Sequence, residues 1–166
     1  MNKKLKHYEE SALIMADPKA VFAYADDHEN LSSHMTKSSW MMGGGKMENH
    51  VDEGRFQKIG SHLQMRGDIF GIKLFLDEAV TQYNPPFCKE WQTLGNINLI
   101  VINHYKLGFE IIADKNNSRL RVFIDYELPK STKTHLLGIL FGELYAKWCV
   151  RQMINGAINE FNKNNL

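Results

Sequence analysis

The sequence predicts a single α+β domain in which a curved antiparallel sheet wraps around one long C-terminal helix. Segments rich in apolar and β-branched residues, separated by turn residues, fill the middle of the 166-residue chain. The last of them, residues 119–128, alternates apolar with charged side chains, which is typical of an antiparallel strand with one buried and one wet face. After Pro129, one amphipathic helical pattern extends over about residues 132–162.

The composition is that of one globular domain with a sizeable core. Hydrophobic residues make up 43% of the chain and charged residues 23%, and no repeat or linker divides it, so we expect one domain over residues 1–166. A chain of this size buries roughly 70% of the surface that its unfolded form exposes. The formal net charge is +1, and no arginine-rich run or aromatic RNA motif is present, so we expect no nucleic-acid partner.

Cysteine use and hydropathy predict a cytoplasmic protein. Cys88 and Cys149 are too few for a disulfide framework and lack CxxC spacing, so we interpret both as reduced core thiols. No apolar segment of the signal-peptide type follows the lysines near the start. The longest apolar stretch, residues 136–150, contains Glu143 and Lys147 and is too short to span a bilayer, so we expect no stable membrane insertion.

The first elements in chain order are a strand and two short helices. The strand is predicted over residues 7–15. Asp17 and Pro18 then mark the start of a helix, with Asp as N-cap and Pro at the first helical position. A second short helix is expected over residues 29–35.

Seven further strand segments are predicted before the last helix. They cover residues 38–42, 46–53, 61–70, 72–83, 87–94, 104–113 and 119–128. The turn signals between them include Gly43-Gly44-Gly45, Gly71, Asn84-Pro85-Pro86, Gly95-Asn96 and Lys115-Asn116-Asn117. We expect a sheet of seven strands or slightly fewer, wrapped around the helix.

The last helix has an unusual buried side. Glu143, Lys147 and Arg151 form its polar stripe. The opposite side carries small residues, namely Gly138, Gly142, Cys149 and Gly156. Each glycine inside a helix costs about 1 kcal/mol relative to alanine, so three on one stripe indicate a steric need. Either the sheet backbone comes close to the helix, or space is left open for a ligand.

The order of these elements and several short motifs resemble a known superfamily. The matching text is 16–24 (ADPKAVFAY), 27–31 (DHENL), Ile59-Gly60-Ser61 and Asn84-Pro85-Pro86. Together, over nearly the whole chain, they resemble the START-related, pollen-allergen-like superfamily, in particular its polyketide cyclase/dehydrase branch. The chain departs from the pattern at His34-Met35, where the family often has Trp. The resemblance implies the helix-grip fold and a pocket for a hydrophobic ligand. It assigns no catalytic residue, because the superfamily has no universal catalytic motif.

One acidic residue is placed unusually for a strand. Glu78 shares the parity of Leu74, Leu76 and Val80, and a carboxyl on such an apolar face would have a raised pKa and could act as a general acid or base. Arg66 and Tyr126 are its candidate companions in a cavity, although a surface pair of Arg66 with Asp68 competes. We favour the simpler interpretation, in which Glu78 lies at a strand end or twist and faces solvent.

The seven histidines do not form a recognisable metal motif. No pair has HxxxH or HExxH spacing, and no cysteine lies close to one in sequence. We therefore expect no metal and no other cofactor. Stoichiometric zinc in the purified protein, measured by elemental analysis, would contradict this expectation.

The function hypotheses follow from the implied pocket. The first is binding or transport of a hydrophobic small molecule or lipid in an internal cavity between sheet and helix. The alternatives are a polyketide cyclase/aromatase-like enzyme acting on a bound intermediate, and a protein-interaction domain like the chaperone-activating members of the superfamily. Convergent polar groups in the pocket would favour the enzyme, a smooth apolar lining the carrier, and a filled core with an exposed apolar patch the interaction domain.

Strand parity and the helical wheel nominate the residues that line the pocket. They are Trp40, Met42, Leu63, Met65, Phe75, Trp91, Phe109, Val122, Tyr126, Phe141, Gly142, Tyr145 and Trp148.

Overall fold

The computed structural model describes residues 5–30, 46–69, 71–129 and 132–163. The strands are β1 (Lys6–Ile14), β2 (Lys46–Val51), β3 (His62–Ile69), β4 (Ile72–Asn84), β5 (Cys88–Thr93), β6 (Tyr105–Asp114) and β7 (Asn117–Tyr126). The helices are α1 (Pro18–Asp26) and α2 (Thr132–Lys163). The backbone is also helical at residues 28–30, where the second short helix was predicted. The rest of that helix and the strand predicted at 38–42 lie outside the described residues.

The described strands form one sheet of seven, in the order β1-β7-β6-β5-β4-β3-β2. Every neighbouring pair is antiparallel. The helix α2 packs mainly against β1 and β7, while α1 packs against β6, β7 and α2. The predicted α+β architecture, with a sheet of seven strands and a C-terminal helix packed on it, is confirmed.

Local sequence signals account for the start of α1 and for the buried face of β7. Asp17 caps α1, and its carboxylate accepts hydrogen bonds from the backbone N–H groups of Lys19 (2.9 Å) and Ala20 (3.2 Å). In β7, Val122 and Ile124 are buried on the inner face that meets the helices. The inner face of the sheet therefore forms the core with α1 and α2, as the alternation predicted.

A β-bulge in β4 changes which side chains face inward. Val80 pairs with Trp91, but the next paired residue is Gln82, so Thr81 is an extra residue on this strand. Alternation alone would put Glu78 and Tyr83, five residues apart, on opposite faces. Because of the bulge, Tyr83 pairs with Lys89, which is buried on the inner face. The bulge thus brings two polar groups of β4 to the same side of the sheet.

Close packing explains the glycines of α2. A Cβ added at Gly142 would lie 3.0 Å from the backbone oxygen of Val101 and 3.2 Å from Cδ2 of Leu128. At Gly138 it would lie 2.5 Å from Cδ of Pro129. The close approach is made by the loop between β5 and β6 and by the segment after β7. The alternative of open space is therefore wrong at these positions, and so is the prediction that Gly142 lines a cavity.

A helix that spans a membrane needs a certain length and hydropathy. None of the helices among the described residues is both long and apolar enough to pass through a bilayer.

Candidate functional site

Glu78 lies inside the protein rather than at its surface. It sits in the middle of β4, which continues beyond it to Asn84, and its relative exposure is 2%. The favoured prediction of a solvent-facing strand end is wrong, because Glu78 keeps the inward orientation of this strand and the bulge comes only after it. Its neighbours on the inner face, Leu76 and Val80, are also buried. The site is therefore a carboxyl group within the hydrophobic core.

Two hydrogen-bond donors converge on one oxygen of this carboxyl group. The hydroxyl of Tyr105 donates to Glu78 Oε1 at 2.5 Å, and the indole Nε1–H of Trp91 donates to the same atom at 3.1 Å. These donors come from β6 and β5, so three strands build the site. The predicted companion Arg66 lies elsewhere, exposed and with its guanidinium 5.4 Å from the centre of the Phe75 ring.

Burial decides the ionisation of Glu78. Removal from water raises its pKa to about 7, while the hydrogen bonds from Tyr105 and Trp91 and the positive charge of Lys89 act in the opposite direction. Burial and the adjacent carboxyl also raise the pKa of Tyr105 well above its ordinary value. A carboxyl that titrates near neutral pH can both accept and donate a proton, which is what general acid–base chemistry needs.

A buried ion pair lies against the ring of Trp91, which donates to this carboxyl group. The Lys89 ammonium donates to Asp26 Oδ1 at 2.7 Å and to the Asp26 backbone oxygen at 3.3 Å, and the Tyr83 hydroxyl donates to Asp26 Oδ2 at 2.8 Å. Lys89 has 0% relative exposure. Its Nζ lies 4.6 Å from the centre of the Phe56 ring. Burial lowers the pKa of Lys89, and the Asp26 carboxylate opposes that change.

Sequence reasoning missed Tyr105, Lys89, Asp26 and Tyr83. A usable signal existed for Lys89, because it has the same strand parity as Trp91, which was selected. No sequence pattern placed Tyr83 inward, since its orientation depends on the bulge at Thr81. These residues come from α1, β4, β5 and β6, which only the fold brings together.

The predicted lining residues divide into several groups. Buried in the core are Leu63, Met65, Trp91, Phe109, Val122 and Tyr126. Tyr145 and Trp148 of α2 pack against this core, with ring centres 5.7 Å apart. Trp40 and Met42 lie outside the described residues. Membership of a ligand pocket stays a prediction for the residues of these three groups.

Two lining predictions are wrong in orientation. Phe75 pairs with Arg66 across β3 and β4, on the face opposite to the buried Leu74 and Leu76. Phe141 is 46% exposed, because the contact with the sheet side of the domain runs through the glycines of α2. It belongs to a set of large apolar residues exposed by 39–61%, here called the outer apolar face of α2: Leu136, Leu137, Ile139, Leu140, Phe141 and Leu144.

A small cavity lies between α1, the inner face of the sheet and α2. Its volume is about 10 Å³, which is room for about one water molecule. Most of its surface is apolar, and Met153 forms one wall. The lining residues are Tyr24, Ala25, Asn30, Phe109, Leu120, Val122 and Met153. A larger ligand would require side chains such as the flexible thioether of Met153 to move.

Comparisons with known proteins identify the fold. No protein-family model matches the chain, and no curated protein matches it by sequence. Solved structures do match, although all three described here are less than 15% identical to this chain.

The Zhui aromatase/cyclase from Streptomyces sp. R1128 is similar to this chain, with 13% identity and a TM-score of 0.71, over 98% of this chain and 97% of that chain. Norcoclaurine synthase from Thalictrum flavum has 9% identity and a TM-score of 0.68, over 100% and 99% of the two chains. Ginseng major latex-like protein 151 from Panax ginseng has 12% identity and a TM-score of 0.57, over 95% and 97%. The chain therefore has the helix-grip fold that these solved structures share, as the sequence resemblance implied.

Proposed function

We propose that this domain binds a hydrophobic small molecule against the inner face of its sheet, with the Glu78 carboxyl as the polar group that meets the ligand. The observation that carries the proposal is the convergence of Tyr105 and Trp91 on a buried carboxyl whose pKa is about 7. Ligand sites are mostly apolar with a few placed polar groups, and perturbed pKa values cluster in them. Aromatic neighbours such as Phe109 suit a planar apolar ligand.

The same arrangement favours acid–base chemistry on the bound molecule over simple carriage. A smooth apolar lining would suit a carrier. Here the Glu78 carboxyl, which can donate or accept a proton, receives hydrogen bonds from Tyr105 and Trp91. Two of the proteins with a similar fold are enzymes by name, an aromatase/cyclase and a norcoclaurine synthase, and the latter has been crystallised with dopamine and hydroxybenzaldehyde. We therefore rank the cyclase-like enzyme above the transport protein among the functions that use this site.

Titration with the uncharged fluorescent probe N-phenyl-1-naphthylamine tests the proposal. We expect saturable binding by the folded protein, with an affinity that falls as the pH rises through about 7, because ionised Glu78 beside an apolar ligand is unfavourable. The pH dependence should disappear in Glu78→Gln. It should persist in the matched control Glu90→Gln, in which a partly exposed carboxyl paired with Lys106 is neutralised instead.

Two outcomes would count against this function. Saturable binding whose pH dependence survives in Glu78→Gln would place the probe away from Glu78. A complete lack of saturable binding would favour the interaction-domain alternative, which the outer apolar face of α2 and the tight contacts at Gly142 support. Native mass spectrometry of protein purified from its own cells would then identify what it carries or binds.

A further inference from the structure

Three buried ionisable groups lie close together on the inner side of the domain. Asp26 is 4% exposed, Glu78 is 2% exposed and Lys89 is 0% exposed. Two acids therefore share one base in a region that excludes water. An isolated buried charge is very costly, so the arrangement of these groups must decide which of them is ionised.

The ring of Trp91 connects the base to the second acid. The Lys89 Nζ lies 5.8 Å from the centre of the Trp91 ring, and the indole N–H of Trp91 donates to Glu78. Edge-to-face contacts with Phe56 (5.8 Å between centroids) and Phe109 (6.4 Å) hold the ring from other sides. A displacement of the ammonium would therefore alter both the field at Glu78 and the packing of the ring that donates to it.

Lys89 is itself held from two elements. Its ammonium binds the carboxylate and the backbone oxygen of Asp26 at the end of α1. The second carboxylate oxygen of Asp26 accepts a hydrogen bond from Tyr83, which faces inward because of the bulge at Thr81. The ion pair is thus anchored by the fold and has both carboxylate oxygens satisfied.

We propose that Lys89 is a positioning residue for Glu78. It supplies the positive charge that allows the buried Glu78 carboxyl to ionise, and Asp26 keeps it in place. The inference rests on the proposed role of Glu78 in the site. In this proposal Lys89 acts on Glu78 through its charge, across the Trp91 ring, and does not contact the ligand.

The other groups that act on Glu78 do not replace this charge. The nearby Asp77 opposes ionisation of Glu78. Tyr105 donates to Glu78 from β6. Burial, with a smaller effect of Glu78, raises the pKa values of Tyr105 and of Tyr145 and Cys149 on α2, so these groups remain neutral at neutral pH. Of the described groups that act most strongly on the pKa of Glu78, the positively charged one is Lys89.

The test removes the ion pair without leaving an unpaired buried charge. In the double variant Asp26→Asn/Lys89→Met, we expect the pKa of Glu78 to rise above its present value of about 7. At pH 7 the ratio of protonated to ionised Glu78 should therefore increase, because Lys89 favours ionisation of Glu78 and the Asp26 carboxylate, which the variant also removes, has a smaller effect on it. The readout is the carboxyl ¹³C chemical shift of Glu78 against pH in ligand-free protein, assigned by its loss in Glu78→Gln.

Two further variants separate charge from packing. Lys89→Arg keeps the positive charge and should leave the titration of Glu78 near that of the wild type. Asp26→Asn/Lys89→Gln also removes both charges and keeps two polar side chains that can hydrogen-bond each other, so it provides the test if the variant with methionine does not fold. An unchanged Glu78 titration in a folded variant without the charge would overturn the proposal. Because no ligand is present, this result is independent of whether the probe binds.

Discussion

Above pH 8, the variant Glu78→Gln is expected to be more stable than the wild type by about 3 kcal/mol. The folded protein holds the Glu78 proton up to about pH 7, whereas an unfolded glutamate loses it near 4.5. The folded state therefore binds more protons between these values, and the wild type loses stability as the pH rises through that window. Below 4.5 both states are protonated and the penalty is absent.

Chemical denaturation of both proteins between pH 4.5 and 8.5 measures this effect. The free energies of unfolding should differ little at the acidic end and diverge as the pH rises. His7 also contributes a pH-dependent term, since its hydrogen bonds with Asp125 and Glu9 raise its pKa, and the stability this confers is likewise lost as the pH rises. That term is common to both proteins and cancels in their difference. Parallel stability curves would show that Glu78 is not a buried carboxyl of raised pKa.

The second large effect is expected at Gly142, where leucine should lower the melting temperature. Leucine gains most of 1 kcal/mol in helix propensity over glycine. Its Cβ, however, would already lie 3.0 Å from the Val101 backbone oxygen, 3.2 Å from Leu128 Cδ2 and 3.6 Å from Tyr126 Cε2, before the larger part of the side chain is placed. Overpacking of this kind costs typically about 1–3 kcal/mol, which exceeds the gain.

Thermal melts of ligand-free Gly142→Leu and wild-type protein measure this loss of stability. Glu143→Leu is the matched control, because it adds the same side chain at the next position, where the native side chain is 59% exposed and pairs with Lys147. That control should melt close to the wild type, since a surface ion pair contributes little. If Gly142→Leu melted at or above the wild-type temperature and bound the probe more weakly, the helix would have to border open space at this point.

Most of the secondary structure could be predicted because short-range physics determines it. The Asp17-Pro18 start of α1 depends on capping within one turn, and the alternation of β7 depends on the two faces of one strand. The order of these elements along the chain carried the resemblance, which in turn implied how the sheet and the long C-terminal helix are arranged.

The site could be predicted only in part. Trp91 and the unusual parity of Glu78 were visible in the sequence, but whether Glu78 faced solvent depended on the residues that pack around it from other strands. Phe75 and Phe141 were assigned to the pocket from residue type and approximate parity, and their orientation depends on strand register and on the contact line of α2. Residue type alone determines neither the strand register nor the side of α2 that meets the sheet.

The sequence by itself therefore determined the fold class, the position of the elements and the presence of a carboxyl on an apolar strand. Only the tertiary structure decided that Glu78 contacts Tyr105 and Trp91, and that the bulge at Thr81 turns Tyr83 toward Lys89. It also decided that the Val101 backbone oxygen occupies the space beside Gly142. The physical reason is range: helix caps and strand alternation act within a few residues, whereas burial, pKa and packing depend on atoms that arrive from distant parts of the chain.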